Sequence, residues 1–166
     1  SVGQVKWHGN PELIISIGNE IDEAYLEQVL ALRLSPEAIT RQKDLRIVYT
    51  PLHGTGRTII PDILRRFGFT NVIVVEEQAT ADGNFPTVHS PNPEEHDALS
   101  MAIQLAEKED ADLVMATDPD ADRVGIAVKD PSGRFILLNG NQTAALLFYY
   151  ILNRWKELGR FTGSEY

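Results

Sequence analysis

The chain has 166 residues, 24 acidic against 15 basic side chains, a formal net charge of −9 and no cysteine. That length fits one domain able to bury about two thirds of its unfolded surface. With no basic cluster to neutralise phosphates, the acidic balance argues against partnership with nucleic acid or anionic membranes. The lack of cysteine rules out a disulfide framework and is compatible with the cytoplasm, where the protein is expected. Its longest apolar run, Ala144 to Leu152, has nine residues, well short of the ~20 that a membrane span requires.

Residues 1–40 read as a lead-in that contributes helices but no strand. Asn10 before Pro11 offers a helix cap, and Gly18 would stop that short helix. Ile21, Tyr25, Leu26, Val29 and Leu30 recur at helical spacing until Ser35-Pro36. Leu45 to Tyr49 reads as a strand, Thr58 to Phe67 as a helix stopped by Gly68, and Val72 to Val75 as a second strand. A loop from Asp82 to Pro93 leads to a helix marked by Ala98, Met101, Ala102, Leu105 and Ala106, and then to a third strand at Leu113 to Thr117. Crossovers of this kind imply parallel strands joined by right-handed connections.

After Thr117 the connection is too short for a crossover helix, so Val124 to Val128 is expected to return antiparallel. The turn Asp130-Pro-Ser-Gly133 leads to a short strand at Phe135 to Leu138, and Gly140-Asn141 opens a last helix that Gly159 ends. Phe148, Tyr149, Tyr150 and Trp155 fall on that helix among Leu147, Ile151 and Leu152, a pattern that suits core packing or a domain interface better than a stacking platform. The expected fold is a three-layer α/β/α domain over residues 41–160, with a mostly parallel sheet and one antiparallel edge strand. Residues 161–166 read as the start of a linker.

The chemistry lies in Asp118-Pro119-Asp120-Ala121-Asp122-Arg123, directly after the apolar run Leu113 to Ala116. Carboxylates this crowded repel by roughly 4 kcal/mol per pair at ~4 Å and an effective dielectric of 20. A hard divalent cation relieves that repulsion. Magnesium suits an all-oxygen set because it shares its shell with water and phosphate, and Arg123 supplies a fork for an anionic oxygen. An EF-hand loop beginning at Asp118 would need Gly and Glu where Arg123 and Lys129 stand. A phosphatase D-x-D-x-[TV] nucleophile motif would need Thr or Val in place of Asp122. A solvated acidic turn is the plainest alternative; three alternating aspartates closed by arginine at a strand end favour a metal over it.

Asp118-Pro-Asp-Ala-Asp-Arg123 resembles the metal-binding loop of the alpha-D-phosphohexomutases, the phosphoglucomutase and phosphomannomutase superfamily, in its phosphoglucomutase/phosphopentomutase branch. Tyr49-Thr-Pro-Leu-His-Gly-Thr-Gly56 is similar to the first strand-to-helix turn of that family's second domain. Asp82-Gly-Asn-Phe-Pro-Thr-Val88, with Pro91-Asn-Pro-Glu94, is similar to the loop facing its active-site cleft. The resemblance covers about residues 40 to 160. It implies a mixed four-stranded sheet flanked by helices.

It also implies a mechanism in which a phosphoryl group moves between the 1-position and the terminal hydroxyl of a sugar phosphate through an active-site phosphoserine, with the work divided among four domains. Asp118, Asp120 and Asp122 would then hold Mg²⁺, and Arg123 would stabilise charge on the transferring group. The phosphoserine loop and the sugar- and phosphate-binding loops have no counterpart here. Ser90 is no substitute, since its neighbours stand in the wrong order for that loop. The chain is therefore expected to be the second domain of a larger enzyme, partnered by its other domains and the phosphosugar, and inactive alone. Two further hypotheses stay open: a free-standing divalent-metal module without catalysis, and a metal-dependent phosphohydrolase with His53 as its only candidate base.

His53, in the turn His53-Gly54-Thr55-Gly56, is a candidate substrate contact. The glycines of that turn match neither the dinucleotide nor the phosphate-loop motif and read chiefly as shaping a tight turn.

Overall fold

The computed structural model describes residues 2–163, so residues 164–166 of the expected linker lie outside the described residues. Five strands, β1 (Arg46–Thr50), β2 (Asn71–Val74), β3 (Leu113–Thr117), β4 (Val124–Lys129) and β5 (Phe135–Leu138), form one sheet in the order β2-β1-β3-β4-β5. Six α-helices accompany them among the described residues: α1 (Asn19–Ala31), α2 (Pro36–Arg41), α3 (Gly56–Phe67), α4 (Glu76–Ala79), α5 (His96–Lys108) and α6 (Gly140–Glu157). The sheet pairs β2, β1 and β3 in parallel, whereas β4 runs antiparallel to both β3 and β5. The expected α/β class with a mixed, mostly parallel sheet is what forms. The strand count is five rather than the four implied by the resemblance, because the turn at Asp130 folds β5 back onto β4.

Strand order dictates the layering. The chain leaves β1 through α3 to reach β2 on one side, then returns over β1 through α5 to reach β3 on the other side. Two right-handed crossovers in opposite directions put α3 and α5 on opposite faces. On the α5 face, Val48, Val114 and Ala127 stand in one cross-strand row, completely buried beneath Ala98, Leu99, Ala102 and Ala106. Alanines along α5 and in the sheet let helix and sheet approach closely, and each larger side chain buried there contributes about 1.5–3 kcal/mol.

The α3 face carries Ile47 and Tyr49, both buried, and Ile63 and Leu64 of α3 are buried as well. A Cβ on Gly56 would collide with the Tyr49 hydroxyl and with Thr117 Oγ1, so glycine is required for the first turn of α3 to lie on the sheet. Gly68 ends α3 as expected, with φ 117° in the left-handed region. The lead-in helix α1 packs on α3 through buried Leu26 and through Glu23, which receives the Arg66 guanidinium at 2.6 and 2.7 Å.

Other expectations are corrected. Asn10 does cap the chain, accepting the Glu12 amide at 3.1 Å, yet only one 3₁₀ turn, Pro11–Leu13, forms instead of a helix reaching Gly18. Ile14, Ile15 and Ile17 lie largely exposed, and so short a helix does not persist without tertiary support. Phe148 and Tyr149 of α6 are exposed, at 69% and 73%, so of core packing or a domain interface only the second remains open to them among the described residues. The helix α6 opens on a capping box between Asn139 and Gln142 and is tied back by Tyr150 to Ser35 Oγ and by Arg154 to the Leu34 carbonyl. No helix among the described residues is long and apolar enough to cross a membrane.

The Tyr49 phenol, sealed under α3 and 2.8 Å from Thr117 Oγ1, is pushed up by burial to about 12. Its neutral form is the one the fold favours. Its contribution is therefore complete below about pH 10, the usual tyrosine value, and is lost as pH climbs through about 12. An ultraviolet absorbance titration is expected to show one tyrosine ionising only near pH 12, a late step that disappears in Tyr49→Phe. Ionisation of every tyrosine near pH 10 in the folded chain would contradict this placement.

Candidate metal centre

Because β1 and β3 are parallel neighbours, both end at the same edge of the sheet, β1 in the turn 51–55 and β3 in the loop 118–123. Ligand sites in open α/β sheets lie at such carboxyl ends. The β3–β4 loop is drawn into a tight arch by its first and last residues. Asp118, 2% exposed, accepts the Arg123 backbone N–H at 3.0 Å through one carboxylate oxygen and the Arg123 Nε–H at 2.9 Å through the other. The Ala121 amide donates to the Asp118 carbonyl at 3.0 Å, and Ala121 takes φ 60°, unusual for a residue with a side chain.

This arch brings the three predicted ligands together. One carboxylate oxygen each from Asp118, Asp120 and Asp122 lies within 4.8 Å of the others, with Asp120 and Asp122 open to solvent. Burial works to raise the Asp118 carboxyl, but the backbone amide and guanidinium of Arg123, with help from Asp122, outweigh it and hold it below the usual range. Asp122 is displaced upward, first by its hydrogen bond to Asp118 and then by the charges of Asp120 and Asp118. Three carboxylates against the one guanidinium of Arg123 leave surplus negative charge at this point. Convergent hard oxygen donors with surplus negative charge fit a divalent cation such as magnesium.

The neighbouring turn grips the arch. The Pro119 carbonyl accepts the Thr55 amide at 2.8 Å and the Thr55 hydroxyl at 3.1 Å, while Gly54 lies so close to the Pro119 backbone that a Cβ would collide with it. The glycine turn thus serves as the seat of the acidic loop.

His53, in the same turn, is 4% exposed. Its Nδ1 is 2.9 Å from the Thr80 carbonyl, which can only accept, so Nδ1 carries the proton and Nε2 accepts from the Thr87 hydroxyl at 2.8 Å. Thr87 Oγ1 in turn accepts from Gln78 at 3.0 Å, and Gln78 accepts the Thr50 hydroxyl at 2.6 Å. This chain satisfies the buried polar groups of Thr50 and Gln78 and fixes the loop after α4 against the β1 turn.

Ser90 is bound to Glu95 Oε1 at 3.2 Å within its own loop. Asn92 accepts the Glu94 amide at 3.1 Å and also the Arg123 guanidinium at 3.2 Å. Its second contact, along with the roles of Thr55, Gln78 and Thr87, escapes sequence reasoning. Each joins residues dozens of positions apart and leaves no local pattern.

Residues 23–133 match the family model described as phosphoglucomutase/phosphomannomutase, alpha/beta/alpha domain II. A phosphoglucomutase of Staphylococcus haemolyticus is 42% identical over 143 residues, covering 86% of this chain and 26% of its own. One from Staphylococcus aureus is 45% identical over 117 residues, covering 70% and 21%. Among solved structures, a phosphomannomutase of Thermus thermophilus, itself assigned only provisionally, superposes with a TM-score of 0.63 at 26% identity, covering 81% of this chain and 29% of that one. The chain spans about a quarter of the length of the curated relatives it matches. With the family's domain model matched over most of its length, from α1 through the acidic arch, this chain belongs to the phosphoglucomutase/phosphomannomutase family as an alpha/beta/alpha domain II.

Proposed function

We propose that this chain is the metal-binding domain of a magnesium-dependent, cytoplasmic phosphosugar mutase. In this reading a phosphoryl group moves within a sugar phosphate by way of a phosphoserine that another domain supplies. The observation that carries the reading is the convergence of Asp118, Asp120 and Asp122 on one point beside a guanidinium already fixed by Asp118. Asp118 holds its oxygens and the Arg123 backbone in register, and Asp120 and Asp122 complete the oxygen set from the open side. Bound there, Mg²⁺ supplies positive charge against the phosphoryl oxygens. Arg123 adds a second, directional cation whose remaining N–H bonds are oriented to receive a phosphoryl oxygen.

His53 serves substrate binding through the loop it holds, keeping residues 80–87 beside the β1 turn. Its ring nitrogens are both engaged, which leaves a hydrolase reading without its only candidate base.

Lacking a nucleophilic serine, the isolated chain is expected to show no turnover of glucose 1-phosphate. In the full polypeptide carrying this segment, Asp120→Ala is expected to lower kcat by about 10²-fold or more, as loss of a group stabilising transition-state charge does. Turnover by the isolated chain, or a full polypeptide indifferent to Asp120→Ala, would refute the assignment.

A second outcome concerns the seat of the loop. Gly54→Ala is expected to destabilise the chain by roughly 1–3 kcal/mol and to weaken Mg²⁺ binding, because the new Cβ meets the Pro119 backbone. Gly83→Ala, where a Cβ meets nothing within 4 Å, is the control. Equal thermal stability and Mg²⁺ affinity of the two variants would contradict the seating role.

A further inference from the structure

We infer that Asn92 is a positioning residue for Arg123, setting the angle at which the guanidinium faces the phosphoryl group; the inference rests on the mutase reading above. A guanidinium has five N–H donors. The structure commits one, Nε–H, to Asp118 Oδ2 at 2.9 Å and a second, on NH1, to Asn92 Oδ1 at 3.2 Å. The guanidinium is a rigid plane, and a single bond at Nε leaves that plane, on a half-exposed side chain, able to rock about the Asp118 contact. The second bond, from a residue on a different loop, limits that rocking. Among the described residues no hydrogen bond engages NH2, and the side chain is half exposed.

Asn92 is itself held at both ends of its amide. Its Oδ1 also accepts the Glu94 N–H at 3.1 Å, and its Nδ2 donates to Glu95 Oε1 at 3.0 Å, the oxygen that also receives the Ser90 hydroxyl at 3.2 Å. The donor and acceptor assignments are mutually consistent, since Nδ2 faces a carboxylate and Oδ1 faces two N–H groups.

The loop that carries Asn92 is fastened next to Arg123 by an independent contact. Pro93 is fully buried, and Gly125, two residues after Arg123 on β4, lies so near the Pro93 backbone that a Cβ there would strike the Pro93 carbonyl. Two consecutive residues of the 90–95 loop thus meet two positions flanking the start of β4, one through a hydrogen bond and one through packing.

The chemistry of the acceptor fits the task. Arg123 is already paired with Asp118 and has Asp122 Oδ1 at 3.8 Å. A carboxylate at position 92 would neutralise it further, whereas the neutral amide orients the fork and leaves its positive charge for the phosphoryl oxygens.

The test is a set of variants of the full polypeptide carrying this segment, assayed with glucose 1-phosphate. Asn92→Ala is expected to lower kcat roughly 10- to 100-fold, the scale of a misplaced catalytic group, with KM changed less than about threefold. Asn92→Ser retains a hydroxyl able to accept the Glu94 amide but too short to reach Arg123. It is expected to show the same kcat loss at wild-type thermal stability, which separates positioning from folding.

The decisive readout is coupling. In an Arg123→Ala background, Asn92→Ala is expected to cause no further loss, because the group it orients is gone. Wild-type kcat in Asn92→Ser, or losses that multiply in the double variant, would overturn the inference while leaving the mutase reading intact. An Arg123→Ala enzyme turning over at the wild-type rate would remove the role of Arg123 in the mutase reading, and this inference with it.

Discussion

The centre of this domain depends on one ion pair, between a buried carboxylate and a half-exposed guanidinium, made across a very short stretch of chain. Asp118 stands at the end of a central strand, almost wholly out of water, where an unpaired carboxylate would be costly. Arg123 offsets that cost twice, through its backbone amide and its guanidinium. The two bonds close the connection between β3 and β4 and so turn the chain back antiparallel in place of another crossover. They also fix the direction in which the two intervening aspartates project. The same interaction therefore terminates the parallel sheet and assembles the acidic site, and loss of Asp118 would be felt in both.

Around that pair the fold acts as a frame. Parallel pairing of β1 with β3 puts the glycine turn beside the acidic arch, and Gly54 and Thr55 clamp Pro119 between the two strand ends. His53, Gln78, Thr87 and Thr50 form a buried polar chain that ties the following loop to this turn. Burying these polar groups costs solvation, and their mutual hydrogen bonds offset it only while the whole set is in register. The loop geometry beside the acidic arch thus depends on the network as a whole.

Much of this was legible in the sequence because its causes are local. Apolar runs bounded by Gly and Pro marked the strands, Gly68 marked the end of α3, and alternating aspartates marked the cluster of converging carboxylates. Where the outcome depends on distant partners, reading failed. The Pro11 segment has a good cap and apolar residues, yet Ile14, Ile15 and Ile17 lie largely exposed, so it does not continue as a helix. The one-and-a-half-turn α2 and the four-residue α4 have no periodicity to detect. Asn92 closes a local turn on the Glu94 amide, ahead of the Glu95 N-cap of α5. Its bond to Arg123, 31 residues away, follows from the seating of Pro93 on Gly125, and that seating is a property of the folded sheet.

The central claim is that Asp118, Asp120 and Asp122 together bind a divalent cation. Its most direct test is to titrate Mn²⁺, as a paramagnetic substitute for Mg²⁺, into the isotope-labelled chain and follow broadening of the backbone amide resonances. The account predicts broadening centred on residues 118–123 and reaching the Thr55 turn, reversed by excess Mg²⁺ and absent in Asp120→Ala. Broadening spread evenly over the acidic surface, or unchanged by Asp120→Ala, would mean that the arch is only a solvated acidic turn.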